Sequence, residues 1–355
     1  MKYFCLFIFI FLISFNLFSQ LGDSIDKSKP ILHVFGNFQY DATKGANKKF
    51  GFGIGRAYLG YQYQFNDNFI GQVIVEADKP TTIDKIEVKD SLDNLLYVIY
   101  QERIGSNYTM QLKIVSLQWK PNDKIKIQIG CIELNNYNTQ DKFWSYKYIS
   151  ETFQDKYFKL PSADLGIISY FSINDYIDLD LALTNGEGNR FDQDLFGDLQ
   201  VASGIDIKPI ESLHIRFYYD YSKSKDSLRP AERQLFSIFT GYQYDNRFKI
   251  AAEYNYRKNN IFINNNDLYG FSIYSIYNFY NKFSFIARFD KLYVKNIYID
   301  NESWYSHYPG NGYVIGFNYN PAQKINFSIN YQLWQPKDKN IFLQHNIFFN
   351  FEFKI

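Results

Sequence analysis

Little in this chain is equipped for covalent chemistry. Of its two cysteines, Cys5 lies in an apolar N-terminal stretch and Cys131 stands alone beyond it. An intrachain disulfide and a cysteine metal site are therefore closed to the mature chain. Its four histidines, His33, His214, His307 and His345, share no metal-ligand spacing. Gly-x-Ser-x-Gly, phosphate-loop and His-Glu-x-x-His patterns are absent. His307 has Ser303 and Ser306 nearby, but serine and tyrosine are common in that stretch. The residues thus imply no enzyme, no metal and no cofactor. Excess charge is also missing: 38 Lys and Arg against 37 Asp and Glu leave +1, which gives no basis for nucleic-acid binding. Past the N-terminus there is no long apolar run, and mean hydropathy is negative, so helical membrane spans are excluded.

What is present is aromatic and alternating. Phe, Tyr and Trp make up 20% of the chain, with 35 Phe and 32 Tyr. The last ten residues, Asn346-Ile-Phe-Phe-Asn-Phe-Glu-Phe-Lys-Ile355, put Phe349, Phe351, Phe353 and Ile355 on one face and Asn350, Glu352 and Lys354 on the other. A two-residue period marks a strand with one apolar and one polar face. At the other end, Lys2 precedes the apolar run Tyr3 to Phe18 and then Ser19-Gln20. That is the layout of a secretory signal peptide over residues 1–19, cut after Ser19, with residues 20–355 as the mature domain. The competing reading, a transmembrane anchor, wants a run of about 20 residues.

Strands of the length a tilted membrane-crossing strand needs recur throughout. They are expected near 31–40, 54–65, 69–78, 108–119, 124–133, 164–173, 176–184, 197–208, 212–221, 233–244, 247–257, 268–279, 282–291, 311–319, 324–333 and 342–354. Every second connection is tight: Asn66-Asp67-Asn68, Pro121-Asn122-Asp123, Asn174-Asp175, Pro209-Ile-Glu211, Asp245-Asn246, Tyr280-Asn281 and Asn320 to Gln323. The others are long: 41–53, 79–107, 134–163, 185–196, 222–232, 258–267, 292–310 and 334–341. Short turns on one rim and long loops on the other imply an all-β fold. The expected form is a transmembrane antiparallel up-and-down β-barrel of about sixteen strands in the outer membrane of a Gram-negative bacterium. Within 79–107, Leu95 to Gln101 is expected either as a strand of its own or as part of a hairpin standing above the membrane.

Alternation also assigns the lumen. Arg56, Lys126, Asp178, Asp180, Arg216, Asp220, Lys249, Glu253, Arg257, Arg288 and Asp290 fall on polar strand faces. A charge facing mid-bilayer lipid costs about 2–4 kcal/mol, so these side chains are expected to line a water-filled pore. Their signs are mixed, without the Arg and Lys ladder of a specific phosphate pore. The long loop 134–163 is too aromatic to float in water. It is expected either to fold inward and narrow the pore with Lys142, Trp144, Lys147 and Glu151, or to cap the outer rim. The acidic, glycine-containing stretch Asn185 to Asp194 reads as a solvated turn before it reads as a calcium loop. Implied partners are outer-membrane lipid and small hydrophilic solutes, with no nucleic acid.

Four short stretches carry a family resemblance: Phe143-Trp-Ser-Tyr-Lys-Tyr-Ile149, Ser162-Ala-Asp-Leu-Gly166, Thr184-Asn-Gly-Glu-Gly188, and Gly310-Asn-Gly-Tyr-Val-Ile-Gly-Phe-Asn-Tyr-Asn-Pro321. On these the chain resembles the outer-membrane porins of Bacteroidetes, distantly similar to the phosphate-selective porins O and P. The resemblance implies a channel for passive diffusion of small hydrophilic solutes or ions, as a monomer or a homotrimer. It does not carry phosphate specificity, because the basic ladder is absent. The chain also departs from such barrels in ending on Ile355 where an aromatic is usual. Two other functions compete: a non-conducting barrel whose outer loops bind a ligand or partner, and a transporter of hydrophobic substrates, for which the segment before the first strand is short.

Overall fold

Strands with one apolar face have backbone groups that pair only sideways, and inside a bilayer an unpaired edge has no water to satisfy it. Closure of the sheet removes the edge. The computed structural model shows this closure: sixteen strands form one antiparallel barrel. It describes residues 27–46, 49–78, 83–90, 95–104, 109–190, 193, 197–227, 230–280, 282–295 and 309–355. The expected leader over 1–19, His307 with its neighbouring serines, and part of the stretch Asn185 to Asp194 lie outside these residues.

In chain order the strands are β1 (Ser28–Asp41), β2 (Phe50–Gln64), β3 (Phe69–Asp78), β4 (Ile83–Lys89), β5 (Leu95–Ile104), β6 (Thr109–Asn122), β7 (Ile125–Glu133), β8 (Ala163–Asn174) and β9 (Ile177–Thr184). They continue with β10 (Gln200–Ile210), β11 (Leu213–Lys223), β12 (Glu232–Tyr244), β13 (Phe248–Lys258), β14 (Leu268–Phe279), β15 (Phe283–Val294), β16 (Gly310–Ala322), β17 (Ile325–Pro336) and β18 (Gln344–Lys354). Each expected strand has its counterpart in the barrel. The stretch Leu95 to Gln101 is a strand of its own, inside β5. It pairs with β4 in a separate two-stranded sheet between β3 and β6.

The final strand closes the barrel as its alternation implied. β18 pairs with β1 from His33 opposite Lys354 to Asp41 opposite Asn346. Phe349 and Phe353 are exposed on the outer face, while Asn350 and Glu352 are buried within. The short turns use the chemistry read from their residues. The Asn66 side-chain oxygen accepts the backbone N–H of Asn68 and of Phe69, both at 2.9 Å. Asp245, Tyr280 and Lys324 adopt the left-handed backbone that a tight hairpin demands.

Aromatic side chains gather at both rims, where ring faces meet lipid and polar edges meet headgroups. Near the short turns Phe283 stacks on Tyr319, with 4.8 Å between ring centroids. Toward the long loops Tyr269 stacks on Tyr293 at 4.9 Å. Cys131 is buried. It packs with Ile114, Ala163 and the partly buried Ile74, and its thiol donates to the Lys113 carbonyl at 3.2 Å.

Candidate functional site

The connection between β7 and β8 folds into the lumen. It carries Tyr137, Phe143, Trp144, Tyr148, Ile149, Phe153, Tyr157 and Phe158, and all of them are buried. Eight such side chains hold several kcal/mol of hydrophobic drive if an apolar wall is available. Local geometry keeps the segment compact enough to enter. A two-turn helix, α1 (Asn138–Trp144), ends at Ser145 in left-handed backbone, with its N–H bonded to the Asp141 carbonyl. A π-helical turn, Gln154–Phe158, ends the same way at Lys159. The Trp144 indole N–H donates to the Ser150 carbonyl at 2.8 Å, tying the bend between them.

The wall that receives the loop is apolar where the loop is apolar. Phe143, Trp144, Tyr148 and Ile149 pack on Phe239 (β12), Tyr274 and Ile276 (β14), Ile286 (β15) and Val314 (β16). Phe153, Tyr157 and Phe158 pack on Leu235, Leu268, Leu292 and Trp334. Two glycines serve as seats: a Cβ at Gly241 would come within 2.8 Å of the Phe143 ring, and one at Gly312 within 2.5 Å of the Tyr157 hydroxyl. The expectation of a polar interior is thus met on part of the wall only. From β12 to β16 both faces carry apolar residues, because one meets lipid and the other meets the loop.

Between these patches, charged side chains hold the loop's backbone. Arg216 donates to the Asn135 carbonyl at 2.7 Å, Arg288 to the Glu151 carbonyl at 2.6 Å and Arg257 to the Phe158 carbonyl at 2.9 Å. Glu253 accepts the Phe153 N–H at 3.1 Å. Asp290 accepts the Tyr157 hydroxyl at 2.8 Å and the Arg288 Nε–H at 2.8 Å. Tyr148 bonds the Asn318 side chain, and Gln154 that of Asn255. Of the residues assigned to the lumen by alternation, Arg216, Glu253, Arg257, Arg288 and Asp290 point inward but are covered by the loop. Asp220 is likewise buried, within electrostatic reach of Arg233 and Arg257.

The opposite side of the loop faces a second charged layer. Arg56 on β2 donates to Glu151 at 2.8 Å. Glu76, fully buried on β3, lies 3.7 Å from Arg56 and 3.3 Å from Lys113. Lys147 bridges Asp141 at 2.6 Å and Asp155 at 3.0 Å. Burial alone would lower the Lys147 value, yet these two carboxylates hold it well above the usual lysine range. Burial would raise Asp155, but Lys147 and then Arg56 hold it low, while at Asp141 burial outweighs Lys147 and the value rises. Lys113 breaks strict alternation for a physical reason: the register between β3 and β6 shifts at Ile74/Val75, where Lys113 is the extra residue on β6. Glu76 keeps the inward phase of its own strand, on the face opposite the exposed Val73.

Among the described residues, water-accessible space borders the loop on two sides. One cavity, of about 980 Å³, lies toward the short turns and touches Lys126, Asp178, Asp180 and Lys249 from the walls and Lys142 from the loop. The other, of about 130 Å³, lies between the β1–β2 wall and the loop, bordered by Arg56, Lys147, Tyr148 and Glu151. Of the four loop residues singled out from the sequence, Lys142, Lys147 and Glu151 therefore border a cavity. Trp144 is fully buried beneath them, anchoring the loop to Tyr274.

Comparison with known proteins bears on this arrangement. A family model described as "Putative beta-barrel porin-2, OmpL-like" matches residues 157–351, more than half of the chain. No curated protein matches the sequence. Among solved structures, Salmonella typhi OmpF in complex with daunomycin superimposes with a TM-score of 0.64 at 12% identity, covering 92% of this chain and 97% of that one. The outer-membrane channel DcaP of Acinetobacter baumannii gives 0.62 at 12%, covering 92% and 97%. A loop-deleted OmpT of Vibrio cholerae gives 0.61 at 13%, covering 92% and 99%. At such identities these three report a shared fold.

Proposed function

Because the chain belongs to the family of beta-barrel porin-2, OmpL-like proteins, we propose that small hydrophilic solutes cross it through the gap that the inward loop leaves beside the β1–β2 wall. The protein is an outer-membrane porin, a channel former of a Gram-negative bacterium. Arg56, Lys147 and Glu151 frame the narrow point, and Lys126, Lys142, Asp178, Asp180 and Lys249 line the wider space toward the short turns. The observation that carries this reading is the position of the loop. It crosses the lumen, packs firmly on one wall and leaves its charged side to the other, with a cavity of about 130 Å³ there and one of about 980 Å³ between the loop and the short turns of β6 to β13. Passage needs no bond made or broken, so the working residues are those that shape and charge the path.

The outer belt of exposed Leu59, Tyr61, Ile129 and Ile329 contacts lipid in this reading. A homotrimer is the assembly we favour, with the bare aromatic face at Phe50 and Phe52 of β2 as its contact. We read residues 1–19 as a cleaved leader, and the motifs from Phe143 and Gly310 support a kinship with Bacteroidetes porins. Planar-bilayer recording of the refolded mature protein tests the channel. Stable single-channel steps are expected, and removal of residues 138–156 should enlarge them several-fold by widening the narrowest cross-section. Steps of unchanged size after the deletion would remove the loop from the constriction, and silence from heat-modifiable, folded protein would end the channel reading.

A further inference from the structure

The 980 Å³ space beneath the loop has an uneven use of charge. Its interior carboxylates are all engaged. Asp178 lies 3.3 Å from Lys208, and Asp180 and Asp206 share the Arg216 guanidinium. Asp206 also accepts the Thr139 hydroxyl of the loop at 2.8 Å. Three other lysines there are not engaged in the same way. Among the described residues, Lys126, Lys142 and Lys249 have no carboxylate within ion-pair distance. Lys126 instead stands over the Tyr170 ring, 3.8 Å from its centroid. Lys249 lies 5.4 Å from the Phe143 ring centroid and donates to the Phe143 carbonyl at 3.4 Å. Lys142 projects exposed from α1 into the same space, close enough to Lys126 for their charges to repel.

A π face orients an ammonium group without cancelling its charge. Three such lysines stand against one excess negative charge at the Arg216 cluster. At the rim, Lys120 and Lys124 are offset by Asp123, Glu211 and Asp245, all exposed at the short turns. Charges at that rim are screened within about 8 Å at physiological salt, whereas a concave, protein-walled space focuses the field of those inside.

We propose that Lys126, Lys142 and Lys249 make the space below the loop a collecting site for small anions, so that the pore passes anions in preference to cations. This rests on the channel reading above and adds the class of solute. The Tyr170 and Phe143 ring faces beside two of the ammonium groups offer apolar contact as well as charge, which suits an organic carboxylate as much as an inorganic ion.

The test is the reversal potential of the refolded mature protein across a KCl gradient, repeated with potassium acetate and potassium benzoate. Wild type should reverse on the anion side. The K126Q/K142Q/K249Q variant should still open in discrete steps, of altered size, and lose at least about threefold of the chloride-over-potassium permeability ratio. The rim variant K120Q/K124Q should retain it. Benzoate permeating at least as well as acetate would assign the rings a part, and acetate alone would confine the site to charge. Should the triple variant fail to refold, the single variant K142Q carries the test, because the Lys142 side chain is exposed and anchors nothing. A cation-selective wild type, or a triple variant with the wild-type ratio, overturns the proposal while leaving the channel intact. Absence of any conductance from folded wild type removes the channel itself and the proposal with it.

Discussion

Arg288 shows what a charged residue inside this barrel is for. Its side chain is almost wholly buried, with Asp290 2.8 Å away, the Glu151 carbonyl at 2.6 Å and the Trp144 ring beneath it. Removal of one partner from a buried pair leaves the other charge desolvated and uncompensated, at a cost of about 3–5 kcal/mol. Arg288→Ala should therefore lower the temperature at which the folded band is lost on a denaturing gel, and should loosen the loop at Glu151. A variant melting with wild type would mean that the pair is dispensable. Alternation assigns Arg288 and Asp290 to the inward face, where both are buried. What it did not show is that inward here means against the loop, since a polar residue reads the same whether water or a carbonyl group satisfies it.

The loop element is held by two kinds of contact: aromatic seats on the β12–β16 wall and an ionic strap on the free side. The strap is Lys147 with Asp141 and Asp155. Asp155 is held below its ordinary value, so the stability it lends is present above about pH 3.9, its unfolded value, and is lost as pH falls through the lower folded value. Lys147 is held high, so its contribution is complete below about pH 10.4 and fades as pH rises through the raised folded value. Asp141 acts the other way, taking up its proton first on the way down. The strap should hold across the neutral range. Single-channel conductance and its open-channel noise should stay flat from about pH 5 to about pH 10 and change outside it. A step near pH 7 would assign the gating to another group. The aromatic content of 134–163 made inward folding one of two readings of the sequence. Phe239, Gly241, Ile286 and Gly312, in strands apolar or bare on both faces, are the signal that decides between them, and that signal lies in the residues themselves.

At the scale of the whole molecule, the barrel is a boundary between two solvents, and neighbouring residues on one strand sit in different ones. Ile329 on β17 faces outward, exposed beside Phe349 of β18, while the next residue, Asn330, is buried inside and donates to Asn350. Ile329→Lys should cost about 2–4 kcal/mol in the bilayer if Ile329 sits near its midplane. The same change should have far less effect in detergent micelles, where a lysine can reach water. Equal folding yields for this variant and wild type in lipid vesicles would contradict the outward assignment. The hairpin of β4 and β5 stands apart from this boundary as a sheet of its own.

The two-residue period, the loop lengths and the closing strand were legible because they are local. Alternation records which face meets lipid, Asn and Asp record the tight turns, and Asn350 against Phe349 records the last strand's orientation. Closure with sixteen strands follows from these, since a sheet in lipid cannot leave an edge unpaired. The partition of the lumen was not local. That Arg257 and Glu253 hold backbone groups of the loop depends on residues 99–100 positions away in the chain. That Lys126, Lys142 and Lys249 share one cavity depends on three elements meeting. The bulge that brings Lys113 to Glu76 shifts a register that the residue pattern alone leaves even. A membrane barrel with a charged interior is thus written in the residue pattern. Which of those charges are tied to the loop and which face the water is settled in three dimensions, because it depends on what packs across the lumen.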